Sequence, residues 1–284
     1  MTPRCRLSAI FFSLLLAGCA RAHVISKPLE RLGLFAPGPS APALAAPPLE
    51  SVPLGERLEY QISWWSVPVA TAVLTIEPAE DKKNLVRLTC RARSNAYLET
   101  FYPVRVELVS LIDPASCSPR RFQAYVNRRR RKHESVVTFD PVKGTAFHQL
   151  PKGRSATVSL GPTTQDGLSL LYYIRTIPFN PGQTIPLEVT ADGKNWPLKG
   201  QVLRIGTVDL KQVGSYPAVE GQAELAYPVP FFRGARARVW FSADNQRIPL
   251  LAKISSRIGP VTVVLTKRSF GGPAKSVNRD KVSN

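Results

Sequence analysis

The chain has 284 residues, 44% of them apolar, and a formal net charge of +18. The apolar share is enough for a packed core and excludes a disordered chain, and the composition excludes a collagen-like or coiled-coil protein. One long apolar run excludes a polytopic membrane protein, and none of these numbers names a function.

Reading from the N-terminus, Arg4 and Arg6 precede an apolar run from Leu7 to Leu16. The run is about ten residues, half of the ~20 a helix needs to cross a bilayer, and small residues follow it, which is the plan of a secretory signal peptide. The ending Leu16-Ala17-Gly18-Cys19 resembles the bacterial lipobox, in which the cysteine thiol takes a diacylglyceryl group and becomes the first residue of the mature chain. Residues 1–18 are therefore read as a lipoprotein signal peptide. Cys19 is read as the lipidated residue, whose acyl chains (palmitate among them) anchor the protein to a membrane without spanning it. The alternative is an ordinary signal peptide with an incidental cysteine. Ala20 stands where an aspartate would favour inner-membrane retention by resemblance to enterobacterial sorting rules, so the expected place is the outer membrane, facing the periplasm.

Residues 19–54 hold the lipidated cysteine and a Pro/Ala-rich stretch, with seven prolines between 28 and 53. Such a stretch favours extended conformations and acts as a semi-rigid tether. A single β-rich domain is expected over 55–270 and a polar, disordered tail over 271–284.

Within the domain, Arg57–Trp65 alternates with Leu58, Tyr60, Ile62 and Trp64 on one face, the period of a half-buried strand. Further strands are predicted at 69–76, 85–93, 104–112, 121–127, 134–140, 156–160, 184–190, 196–205, 218–227, 235–242, 248–257 and 261–267. Turn chemistry such as Asp113-Pro114, Asp140-Pro141, Asp192-Gly193 and Asp244-Asn245 punctuates them. Two helical patches interrupt the pattern. Asn95–Phe101 reads as one turn packing Tyr97, Leu98 and Phe101 inward. Asp166–Thr176 reads as a helix with Asp166 as N-cap and Leu168, Leu171, Tyr172 and Arg175 on one face, stopped by Pro178. The expected fold is mainly all-β: a large curved antiparallel sheet or partly open β-barrel with one short helix packed against it. That helix lies across the concave face or plugs the end of the barrel.

Of the four cysteines, Cys5 leaves with the signal and Cys19 is lipidated. Cys90 and Cys117 remain, an even pair in an exported domain, and a disulfide between them is expected, two buried thiols being the alternative.

Several local patterns together carry a family resemblance. They are Gly55-Glu56-Arg57-Leu58-Glu59-Tyr60, Tyr102-Pro103-Val104 through Ile112-Asp113, Phe139-Asp140-Pro141, Asp166-Gly167-Leu168 through Arg175 on to Pro178 and Gly182, and Val239-Trp240-Phe241-Ser242-Ala243-Asp244 with Arg247-Ile248-Pro249. Across most of 55–267 the chain resembles the bacterial family called domain of unknown function 3108. The resemblance implies an exported, mostly β protein and no assigned chemistry. Read structurally, Asp166 is a helix cap, Arg175 pairs with a carboxylate such as Asp166 or Asp244, and Asp244 and Arg247 are turn residues.

Catalytic patterns are missing from the sequence. His23, His133 and His148 have no metal-ligand spacing, no nucleophile elbow or phosphate loop occurs, and Glu56 and Glu59 fall on opposite strand faces. No enzyme, metal or cofactor is expected. The basic balance is the stronger lead. Arg128, Arg129, Arg130, Arg131 and Lys132 form a run of five cations between two strands, and Arg233, Arg236 and Arg238 add three more. Such density concentrates anions. Export argues against nucleic acid and for lipid head groups, lipopolysaccharide or peptidoglycan; a solvated loop is the bland reading.

The expected function is a non-catalytic envelope lipoprotein, a binding or carrier module for lipid or another anionic or apolar ligand. Trp64, Trp65, Phe101, Tyr172 and Phe179 are candidate lining residues, and Arg128–Lys132 the anion-binding stretch. The alternative is a structural or assembly partner that docks on another envelope protein or peptidoglycan, for which Tyr227-Pro228-Val229-Pro230-Phe231-Phe232 is the candidate surface.

Overall fold

The computed structural model describes residues 52–80, 84–128, 131–210, 213–225, 236–256 and 259–271. The signal peptide, Cys19, most of the tether, the tail beyond 271, Arg129, Arg130, Arg233 and the stretch 227–232 lie outside these residues.

Among the described residues fifteen strands, two short α-helices and one 3-10 turn (Pro151–Gly153) follow in order. The first half comprises β1 (Glu56–Trp64), β2 (Val67–Pro78), β3 (Val86–Ser94), α1 (Ala96–Phe101), β4 (Val104–Ile112), β5 (Pro119–Arg128), β6 (Arg131–Asp140), β7 (Thr145–Leu150) and β8 (Arg154–Ser159). The second half comprises β9 (Thr164–Gln165), α2 (Ser169–Arg175), β10 (Thr184–Ala191), β11 (Lys194–Leu210), β12 (Gly214–Leu225), β13 (Arg236–Ser242), β14 (Pro249–Ser256) and β15 (Gly259–Phe270).

All fifteen strands form one sheet, in which sequence neighbours from β1 to β8 and from β10 to β15 pair side by side. β15 returns to β1, so Glu56 faces Phe270 and Trp64 faces Val261. The entry and exit of the domain therefore share the middle of the sheet. The short β9 lies parallel to β10, and the other pairings are antiparallel.

Alternation explains the curl. Leu58, Tyr60 and Ile62 on β1, Leu74 and Ile76 on β2, Leu88 and Cys90 on β3, and Val106 and Leu108 on β4 all point into one core, because strand side chains change face with each residue. Fully burying each such aliphatic side chain contributes about 1.5–3 kcal/mol. A second, smaller cluster lies against β10–β13 and holds Phe179, Ile185, Leu187, Val202, Val219 and Phe241.

The curl brings the far strands together across a seam made by side chains. His148 on β7 lies 2.9 Å from Thr190 Oγ1 on β10, and its Nδ1 accepts from Gly193 N at 3.2 Å. A nitrogen that accepts a backbone N–H carries no proton, so Nε2 holds the ring hydrogen and donates to Thr190. Asn195 donates to the Ser159 carbonyl at 2.6 Å. Gly193 approaches Ala156 so closely that a Cβ at 193 would lie 2.7 Å from the alanine methyl.

The connections alternate between the two ends of this barrel-like sheet. One end receives α2 and the turn between β13 and β14. The other end carries the β1–β2 turn, α1 and the facing ends of β5 and β6.

Candidate functional site

The helical end is built around buried charge. Asp166 caps α2: its Oδ1 accepts from Leu168 N and Ser169 N, both at 2.8 Å, while Ser169 Oγ accepts from Asp166 N at 3.0 Å. This is a reciprocal capping arrangement. Ser110 Oγ donates to the second carboxylate oxygen at 2.6 Å. Burial raises the Asp166 carboxyl above its ordinary value, and the hydrogen bonds from Ser110, Ser169 and Leu168 pull it back down.

At the other end of α2, Arg175 meets Glu56 of β1 through two hydrogen bonds of 2.7 and 3.1 Å, with neither side chain exposed. The expected partners, Asp166 and Asp244, are both engaged elsewhere. Asp244 serves its own turn, accepting from Ser242 Oγ at 2.6 Å and from Gln246 N and Arg247 N. Arg268 of β15 reaches the same Glu56 at 3.0 Å, and Arg175 Nε donates to the Gln246 carbonyl. Arg247 is more than a turn residue. Fully buried, it donates to the carbonyl of Arg175 at the end of α2 and to that of Ile177 just past it, and stacks 4.5 Å above the Phe179 ring. A guanidinium on the last carbonyls of a helix complements both its open acceptors and its dipole. Desolvation lowers the Arg247 value to about 10, which leaves it charged at neutral pH.

These residues lock the helix to the sheet and leave no cleft among themselves. Asp166, Arg175 and Arg247 are all solvent-inaccessible. Among the described residues no group of three or more His, Cys, Asp or Glu side chains is placed to hold a metal ion.

Beside α2 lies a small apolar pocket of about 60 Å³, partly open to solvent. Ile174 of α2, Phe179, Ile185, Leu187, Val202, Val219 and Phe241 line it. It exists because Gly200 and Gly221 bring no side chain to the wall. A Cβ at Gly200 would touch its neighbours at 3.6 Å or more, ordinary van der Waals contact. Phe179 and Phe241 tilt against each other with centroids 5.4 Å apart.

Of the five predicted lining residues, Phe179 lies in this pocket. Tyr172 is buried in the large core, and Trp64 packs against that core's edge. Trp65 and Phe101 stand on the opposite rim, 61% and 64% exposed. Contrary to the inward packing that their apolarity predicts, Tyr97 and Phe101 stack edge-to-face on the outer side of α1, with centroids 5.6 Å apart. Asn95 sets this orientation. Its side chain caps Leu98 N and donates to the Pro68 carbonyl, leaving Leu98 as the residue that packs on the core. The pocket residues Ile185, Leu187, Val219 and Phe241 escaped sequence reasoning. Their alternation marks strands but does not show which face lacks filling.

The expected disulfide is corrected. Cys90 and Cys117 are separate, buried free thiols. Cys90 lies mid-β3 opposite Leu108, whereas Cys117 precedes Pro119, which pairs with Ile112 and, through it, Val86. Four residues of strand separate the two levels, roughly 13 Å, and a disulfide needs Cα atoms within about 7 Å. Burial pushes the thiols up to about 12 for Cys90 and about 11 for Cys117. Arg128 of the basic run ends β5 opposite Arg131, the first residue of β6, with Lys132 next to it.

A long antiparallel sheet curled upon itself, closed by a side-chain seam and plugged by one helix, defines a β-barrel-like protein. The chain belongs to the family described as protein of unknown function DUF3108, whose model matches residues 59–266. It is similar in fold to a β-barrel-like protein of domain of unknown function DUF1849 from Brucella abortus, with a TM-score of 0.51 and 8% identity over 80% of this chain and 100% of that one. A hypothetical protein from Chlamydia trachomatis aligns with a TM-score of 0.37 and 8% identity over 78% of this chain and 90% of that one. No curated protein matches.

Proposed function

We propose that this protein is a non-catalytic binding module of the bacterial envelope, anchored through lipidated Cys19, that holds an alkyl segment of a lipid in the pocket beside α2. The observation that carries the reading is the pocket lined by Phe179 and Phe241, where Gly200 and Gly221 leave an apolar wall unfilled. Apolar surface in such a wall gains by covering with hydrocarbon. At about 60 Å³ the pocket is far below the roughly 300–1,000 Å³ of a site that swallows a drug-sized ligand. The ligand is therefore held by part of one chain, and the rest emerges through the open side. The buried, mutually paired residues at the helical end support a scaffold role there over chemistry.

Residues 20–284, purified without detergent and sprayed under native conditions, test the reading. An apolar adduct released on unfolding is the expected result. A folded chain that never carries one, and takes up none when offered fatty acids, argues against it.

A further inference from the structure

The end of the barrel opposite α2 carries exposed aromatic residues beside exposed cations. The β1–β2 connection has two residues, Trp65 and Ser66, with φ of +49° and +65°. Positive φ at both positions is the type I′ hairpin geometry, normally given to Asn-Gly because other side chains are strained there. A tryptophan holds that strained position, 61% exposed, with exposed Val67 beside it. Gly259 makes the pose possible, since a Cβ there would overlap the indole nitrogen at 2.0 Å. The next connection on the same rim is α1, tied to β2 by Asn95 N donating to the Val69 carbonyl. It presents Tyr97 at 74% exposure and Phe101 at 64%.

Cations surround this group. Arg93 faces Arg105 across β3–β4, and Arg128 faces Arg131 across β5–β6, with Lys132 next to it. Arg93, Arg105, Arg131 and Lys132 are all exposed. On α1 itself, Glu99 pairs with Arg105 at 2.7 Å. Exposed cations gathered on one rim attract an anionic surface through a field that salt weakens. From β1 to β6 the rim spans roughly 24 Å at the usual strand spacing, wide enough to face many lipid head groups.

We infer that this rim docks on an anionic lipid bilayer, with Trp65, Tyr97 and Phe101 seated at the head-group level and Arg93, Arg105, Arg131 and Lys132 on the lipid phosphates. Tryptophan and tyrosine partition to that level because each has an apolar body and a polar tip, and nearby cations add attraction to anionic lipid. The 32 residues between Cys19 and Val52 can extend to about 110 Å. A chain anchored at Cys19 therefore has enough length to lay this rim on the membrane that holds the anchor, although β1 begins at the far end of the barrel.

The full mature chain, mixed with vesicles of phosphatidylglycerol and phosphatidylcholine whose acyl chains are brominated, tests the inference through tryptophan quenching. This readout depends on the seating of Trp65 and not on the anchor. Quenching is expected in anionic vesicles, with more than half of it lost in about 0.5 M salt and in the variants Lys132→Glu and Tyr97→Ser/Phe101→Ser. Trp65→Asn removes the quenching and keeps or raises the melting temperature, because asparagine suits the turn; that separates docking from folding. Absent quenching by a folded chain, equal quenching in pure phosphatidylcholine, or burial of Trp65 in a concentration-dependent dimer or a protein complex would each overturn the inference.

Discussion

Glu56 and Arg175, 119 residues apart in the chain, grip each other by two hydrogen bonds in a place that water does not reach. One is the first residue of the first strand and the other the last residue of α2, so their contact fastens the plug to the point where the domain begins. Arg268, near the end of the last strand, joins the same carboxylate. The start, plug and finish of the domain thus share one anion.

Removing one member of a buried ion pair leaves the other charged and unsolvated, at a cost of about 3–5 kcal/mol. Glu56→Gln or Arg175→Met alone should destabilise the domain by that order in urea unfolding. The double variant Glu56→Leu/Arg175→Met should recover much of the loss. Additive losses would show that the two do not act as a pair.

His148 makes the seam sensitive to acid. Burial lowers its value from 6.5 to about 4, so between those limits the unfolded chain binds the extra proton and the folded one does not. The stability it confers is complete above pH 6.5 and is lost as pH falls toward 4, by up to about 3 kcal/mol. His148→Gln should flatten the fall in melting temperature over that window. An unchanged slope would place the acid response in other groups.

The seam also predicts a steric limit. Gly193 has φ of +74° and faces the Ala156 methyl, so Gly193→Ala meets both backbone strain and a clash, together about 1–3 kcal/mol. Hydrogen exchange in β8 and β10 should accelerate in this variant. Unaltered protection of both strands would mean the seam is not closed.

Cys90 and Cys117 are buried and protonated at neutral pH, and only thiolates alkylate readily. Iodoacetamide should leave both untouched in the native chain. In denaturant without reductant it should label both. Labelling that requires prior reduction would restore the disulfide.

The fold was legible because most strands are half-buried and alternate cleanly, as β1 does with Leu58, Tyr60 and Ile62 inward. β7 escaped because its pattern is inverted: Ala146 and His148 are buried while Phe147 is exposed. A buried histidine serving a seam looks polar to any hydrophobic count. α2 is legible in the sequence together with its cap, since Asp166 acts locally on the residues just after it. Its partner across the molecule was not readable, because Arg175 finds Glu56 only once β1 and β15 have closed on each other. Apolarity alone points Tyr97 and Phe101 inward, whereas the Asn95 cap turns that face of α1 outward.

The pocket beside α2 is the centre of the functional reading, and calorimetric titration of a medium-chain fatty acid into the protein and its Gly200→Leu variant tests it most directly. Leucine at 200 has room for its Cβ and fills the cavity, so the variant should melt as the parent does. The predicted result is saturable binding by the parent with a negative heat-capacity change, weakened by about tenfold or more in the variant. Equal binding by both, or no saturable binding by the folded parent, would contradict it.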